Sequence, residues 1–293
     1  MDHLWGGGDR AYCQRVKKNP VADFLLPADF RRPPLVRMLQ EGRFVGEASR
    51  HAVRGIAASR TRTPYAGSHP ARDADPVLLV PGFMAGDYTL APLARTLRGQ
   101  GYRTYRAGIM LANKSCTLDT AEMLEARLEA IVARREQRVQ VVGHSLGGML
   151  ARGIAARRPD LVSGIVTMGS PVLAPGAHHR ALGVFVLGLV SLSKVGVANV
   201  MNETCVGGEC TLESFQEAQA PLPTDVAYTA IWSRNDGIVD YRACLDPAAT
   251  HVEVRASHIG MAVDPRVSDR VLDALASHRQ AAAAGAHLRV ATA

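Results

Sequence analysis

The sequence predicts an α/β protein built on a mostly parallel, doubly wound central sheet with helices on both faces. Two observations predict it. Short apolar runs alternate with longer amphipathic stretches from residue 77 onward, the rhythm of strands joined by crossover helices. Val77-Leu78-Leu79-Val80 is apolar without a break and stops at Pro81-Gly82, as a strand buried on both faces does. The chain of 293 residues is 47% hydrophobic and 21% charged, enough apolar content for one large core and too much for a disordered chain.

The elements follow in order. Leu90–Arg98 reads as a helix and Tyr102–Arg106 as the second strand. Leu118, Ala121, Leu124, Leu128, Ile131 and Val132 recur at helical spacing, so Leu118–Arg135 is a long amphipathic helix. Val139–Val142 is a third strand, with a helix to Arg157 after it. Ile165–Met168, Tyr228–Trp232 and Val252–Val254 complete the strands, and Arg266–His278 closes the fold as a helix. The Ala-rich tail, residues 280–293, is expected to fray.

Two regions depart from the alternation. Residues 1–74 form a basic helical extension, with 13 Lys and Arg against 7 Asp and Glu, and hold most of the net charge of +7. Leu35, Val36, Leu39, Ala48, Ala52, Val53, Ile56 and Ala57 suggest two short helices that dock by an apolar face. Arg62–Pro76 reads as a linker. The second region, residues 172–225, lies between a first core part (75–171) and a second (226–279). It carries no clear strand, and Ala181–Leu192 within it is an apolar run. A long excursion inside a compact domain is usually functional, so it is expected to be a helical cap. The alternative is a helical pair packed on the sheet edge.

Composition narrows the function classes. The apolar run of twelve residues falls short of the ~20 a transmembrane helix needs, so no transmembrane segment is expected. The basic surplus suits either an anionic partner or a solvated Arg-rich face. No zinc-finger spacing, RNP motif or Walker loop accompanies it, and no nucleic-acid partner is expected. The first 30 residues show no export-type apolar region, which makes a cytoplasmic location of the bacterial type the expectation. Nothing in the pattern speaks to oligomeric state. Of the five cysteines, Cys205 and Cys210 enclose a flexible Val-Gly-Gly-Glu and could form a disulfide or remain thiols. None sits in a CxxC, so no metal site is expected.

The chemistry concentrates in Gly143-His144-Ser145-Leu146-Gly147, a G-x-S-x-G sequence set between a buried strand and a helix. A nucleophilic serine needs such a turn, which exposes its oxygen above the sheet while the glycines admit the close backbone approach. The N–H of Leu146 then faces a developing oxyanion. A second donor belongs in the loop after the first core strand. The Phe83 N–H is the candidate there, with Met84 second. The base must lie late in the chain, beyond the last strand, and His258 in Ala256-Ser257-His258-Ile259-Gly260-Met261 fits. The acid belongs after Trp232: Asp236 comes first, and Asp240 is its rival. His144 is expected to point away from the site.

These motifs, in this order, resemble the α/β-hydrolase superfamily and, within it, the bacterial lipases and esterases with a Gly-His-Ser-x-Gly-Gly elbow. The resemblance covers about residues 76–278. It implies hydrolysis of carboxylic esters with apolar acyl groups through an acyl-enzyme. The triad would be Ser145, Asp236 and His258, the oxyanion hole Phe83 and Leu146, with no metal and no cofactor. A small-molecule ester or lipid-like substrate is the implied partner. The superfamily also holds enzymes that act on carbamates, amides or thioesters or transfer acyl groups, and a non-catalytic binding protein is a further alternative. Many relatives have His-Gly where this chain has Pro81-Gly82; the donor N–H survives that change, but a histidine hydrogen bond is lost. Residues 1–74 find no counterpart in the resemblance.

Overall fold

The computed structural model describes residues 25–60 and 74–291, with side chains described except at 55–60 and 285–291. Most of the expected linker, and the first 24 residues of the extension, lie outside them. The chain forms α1 (Leu35–Met38), α2 (Phe44–Arg60), β1 (Pro76–Val80), α3 (Ala91–Gly99), β2 (Arg103–Arg106), α4 (Thr117–Arg135) and β3 (Val139–His144). Then come α5 (Leu146–Arg157), β4 (Val162–Met168), α6 (Arg180–Lys194), α7 (Glu209–Gln219), β5 (Ala227–Ser233), β6 (Thr250–Val254) and α8 (Pro265–Ala291).

The six strands make one sheet in the order β2-β1-β3-β4-β5-β6, and every neighbouring pair is parallel. Alternation along β1 explains its unbroken apolar run. Leu78 and Val80 face the core layer that holds Leu124 and Leu128 of α4 and Ile154 of α5. Val77 and Leu79 face the opposite layer, with Leu93 and Leu97 of α3 and Val271 and Leu275 of α8. The chain leaves β1 for β2 on one side and returns to β3 on the other. The carboxyl ends of β1 and β3 therefore border the crevice where open α/β sheets place their ligands.

The excursion between β4 and β5 is helical. Its α7 is fastened to the body. Arg157 of α5 bridges Glu217 of α7 and Glu125 of α4, and Gln219 Nε2 donates to Val172 O at 2.7 Å. The apolar α6 buries Leu189 and Val190 and leaves Val184 and Leu187 exposed. Among the described residues no helix is long and apolar enough to cross a membrane.

Two expectations are corrected. In the N-terminal segment Leu26 and Phe30 pack on Ala174, Ala177 and Ala243, but the helices that follow do not dock by an apolar face: Leu35 is 73% exposed and Leu39 79%, and Val36 and Val53 are exposed too. The contacts of these helices include ion pairs and hydrogen bonds. Arg50 pairs with Asp264 at 2.9 Å and Arg54 with Asp269 at 2.9 Å, and Arg37 donates to Arg234 O at 2.7 Å. The segment is also a single α-turn and a 3-10 stretch, Leu39–Arg43, leading into one long helix, rather than two short ones. At the other end, α8 runs past His278 to Ala291, because the Ala-rich run meant to fray has high helix propensity.

Candidate active site

Ser145 stands between the last residue of β3 and the first of α5, with φ 52° and ψ −121°. A non-glycine residue at positive φ is strained, and the glycines around it accommodate the turn. A Cβ on Gly143 would overlap the Gly147 backbone, and one on Gly147 would overlap the Val80 carbonyl. The strand, the helix and the β1 loop thus touch backbone to backbone. The Ser145 N–H donates to Met168 O at 2.8 Å, which ties the turn to β4.

The other two predicted residues meet. His258 Nδ1 lies 2.7 Å from Asp236 Oδ2, and both side chains are nearly fully buried. Asp236 Oδ1 accepts from the N–H groups of Ile238 (2.9 Å) and Val239 (2.7 Å), which fixes the carboxylate. Since a carboxylate only accepts, His258 Nδ1 carries the proton in this pair, which leaves Nε2 as the basic nitrogen. Burial pulls the His258 pKa down, but the Asp236 charge and hydrogen bond, with a further contribution from Glu41, leave it raised overall. Asp240, the rival acid, is committed elsewhere. It caps the turn Tyr241–Cys244 through the Arg242 N–H and pairs with the Arg242 guanidinium.

Ser145 and His258 line one cavity of about 230 Å³ together with Gly82, Phe83, Phe185 and Ile259. A second cavity of about 170 Å³ meets Ser145 from the other side, walled by Leu146, Leu182, Val186, Met201 and Phe215. Ser145 therefore sits where two cavities join. Phe83 borders both. The neighbouring Met84 N–H is spent on Asn113 O at 2.9 Å, which leaves Phe83 as the better-placed donor of the two. Leu146 opens α5, so its N–H belongs to the first turn, which a helix cannot satisfy internally.

Three residues with a bearing on this site escaped the sequence reading. His144 was expected to point away, yet its ring lies 4.8 Å from that of His258 and its Nε2 donates to His258 O at 2.9 Å. Burial, and then the nearby His258, push the His144 pKa down to about 3, so it is neutral. Glu41 accepts from three backbone N–H groups: Gly237 (2.9 Å), His258 (2.9 Å) and Ile259 (3.0 Å). One carboxylate thus spans the loop of Asp236 and the loop of His258. Glu47, 2% exposed, accepts from Ser257 N at 2.9 Å and Ser257 Oγ at 2.6 Å. No spacing rule connects a glutamate in the N-terminal segment to a loop some 200 residues away, and the sequence carries no sign of either contact.

The comparisons agree with this architecture. Residues 75–191 match the family model of the alpha/beta hydrolase fold. The triacylglycerol lipase of Pseudarthrobacter phenanthrenivorans is 29% identical over 153 residues, 47% of this chain and 46% of that protein. The triacylglycerol lipase of Vibrio cholerae is 31% identical over 123 residues, 40% of this chain and 38% of that one. This chain thus spans less than half the length of these curated relatives. The crystal structure of mature Bacillus licheniformis lipase BlEst2 superposes with a TM-score of 0.55 at 18% identity, covering 71% of this chain and 94% of that one. At that identity the likeness speaks for the fold. With the match over residues 75–191 and the six-stranded parallel sheet, it shows the α/β-hydrolase fold.

Proposed function

We propose that the protein is a serine ester hydrolase that cleaves carboxylic esters of apolar acyl groups through an acyl-enzyme. The observation that carries this is the strained Ser145 turn facing the same cavity as a His258 already paired to Asp236. His258 Nε2 takes the Ser145 proton as the serine oxygen attacks the ester carbonyl. The N–H groups of Phe83 and Leu146 stabilise the oxyanion. His258 then protonates the leaving alcohol, and water repeats the cycle to release the acid.

The two cavities divide the substrate. The alcohol leaves on the side where His258 stands, and the acyl chain occupies the apolar side under Val186, Met201 and Phe215. The segment 172–225 is then a cap that forms the acyl wall, and residues 75–171 with 226–279 form the catalytic core. We place the enzyme in the cytoplasm, where buried thiols stay reduced, with no nucleic-acid partner. The experiment is turnover of p-nitrophenyl esters beside an aryl carbamate and an anilide, with an organophosphonate to label the nucleophile. The ester should be the preferred substrate, and the label should fall on Ser145. Ser145→Ala should lose about 10⁴-fold or more in kcat while keeping its fold. A label on another serine, or full activity in the alanine variant, would falsify the assignment.

A further inference from the structure

A second cluster of reactive side chains lies at the seam between the β4–β5 excursion and the core. Cys116 is the N-cap of α4, Cys205 ends the short turn Glu203–Cys205, and Cys210 lies in the first turn of α7. The three sulfur atoms all lie within 4.8 Å of one another, and all three residues are buried. Leu189 and Met201 pack around them, with Phe83 and Leu118 at the edge. One buried thiol among apolar side chains is ordinary packing. Cys244, beside Trp232 and Val239, is such a case. Three that converge from separate segments, in a chain with five cysteines, need another reason.

Soft thiolates in a compact group suit a soft or borderline cation. Zinc binds sulfur at about 2.3 Å, which sets the sulfurs of a tetrahedral site about 3.8 Å apart. The three Sγ atoms are within about 1 Å of that spacing, a difference that side-chain rotation covers. Cys116 stands at the start of a long helix, where the dipole and the first N–H groups favour a thiolate. The Cys205 thiol is also 3.2 Å from Asn202 Oδ1, which accepts from it and caps the turn through the Thr204 and Cys205 N–H groups. A disulfide would use two of the sulfurs and strand the third.

We propose that Cys116, Cys205 and Cys210 form a structural zinc(II) site that fastens the β4–β5 excursion to the start of α4. Binding exchanges three thiol protons for one divalent cation, with no change of oxidation state. The consequence reaches the pocket, because Cys205 and its neighbours Val206 and Gly207 also wall the apolar cavity beside Ser145. The site stands whether or not the protein hydrolyses esters. It went unseen in the sequence because the ligands come from three elements and no CxxC marks them.

The test uses the full-length protein, reduced and freed of chelator, with metal content measured per chain and cobalt(II) as the spectroscopic probe. A single equivalent of zinc is expected, and cobalt should give a thiolate charge-transfer band in the near ultraviolet with the intense visible bands of a tetrahedral site. Cys116→Ser and Cys210→Ser should lose the charge-transfer intensity, while Cys244→Ser keeps it. Zinc should also raise the wild-type Tm, and a chelator should reverse the rise. If the serine variants do not fold, the wild-type cobalt spectrum still decides the matter. Reduced, folded protein that takes up neither metal overturns the proposal, as does cobalt binding that survives both serine substitutions. A disulfide among the three in the purified protein, with no metal uptake after its reduction, overturns it too.

Discussion

Glu41→Gln should slow the enzyme and at the same time extend its activity to lower pH. The Glu41 carboxylate accepts three N–H groups at 2.9–3.0 Å, one from the Asp236 loop and two from the His258 loop. Charge-assisted hydrogen bonds of this kind are worth about 1.5–3 kcal/mol each. A glutamine keeps one acceptor oxygen and turns an NH2 group toward the remaining donors. At least one bond is lost and the others become neutral, so we set the total at about 1.5–3 kcal/mol. If the transition state must restore that geometry, kcat falls about tenfold to a hundredfold, with little change in KM, because Glu41 lies outside both cavities. The pH profile separates this from a general loss of structure. The base must be neutral to act, so the acid limb of kcat/KM follows the His258 pKa. Burial lowers that pKa, and the negative charges of Asp236 and then Glu41 raise it. Removing the Glu41 charge therefore lowers it and moves the acid limb to lower pH. The assay is p-nitrophenyl butyrate turnover from acid to neutral pH for wild type, Glu41→Gln and Glu41→Ala. An acid limb that stays in place or moves upward refutes the reasoning, whatever happens to the rate.

Asp236→Asn should cost orders of magnitude in kcat, and Asp240→Asn little, because only Asp236 touches the imidazole; the reverse ranking transfers the role. His144, with a pKa near 3 against an unfolded value of 6.5, binds its proton only in the unfolded chain between those limits. Stability should therefore fall as pH drops from about 6.5 toward 3, and His144→Gln should flatten the slope measured by urea unfolding; an unchanged slope counts against it. Along a series of acyl p-nitrophenyl esters, each methylene that enters the apolar cavity should add up to about 0.8 kcal/mol, or about fourfold in kcat/KM. The rise should run from acetyl to a maximum between butyryl and octanoyl. A steady fall from acetyl would show that the cap is no acyl wall.

The parts of the fold that were legible in the sequence are those where burial repeats in the chain. β1 and β3 are covered on both faces, so Val77–Val80 reads as an unbroken apolar run and Val139–Val142 as a run broken only by Gln140. Their order and the helices between them give the parallel sheet. The elbow was legible because a serine turn packed against strand and helix requires glycines at set positions, and a required residue leaves a mark. The N-terminal segment misled for the opposite reason. Leu35, Val36, Leu39 and Val53 have helical spacing, yet they face solvent, and the docking runs through Arg37, Glu41, Glu47 and Arg50. Carboxylates that bind backbone N–H groups need no particular partner residue, so nothing in the partner loop announces them. His144 was missed because the side chain before Ser145 belongs by default to the strand. Only the folded loop after β6 brings the His258 carbonyl within its reach.

The boundary of the family match and the boundary of the candidate site do not coincide. The match begins at residue 75, and the expected extension ends at 74. Yet the loops that deliver Asp236 and His258 are held from residues 37–50. Glu41 ties the two loops to each other, Glu47 satisfies Ser257 just before His258, and Arg37 takes the carbonyl of Arg234 just before Asp236. Close packing enforces the arrangement: a Cβ on Gly237 would overlap the Arg37 carbonyl, and one on Gly260 would overlap the Glu47 carboxylate. Unpaired N–H groups buried at such a loop cost about 1–3 kcal/mol each. These glutamates therefore help hold the His258 loop in its conformation. What reads as an appendage to the α/β-hydrolase fold is, in physical terms, the second half of the scaffold that positions His258.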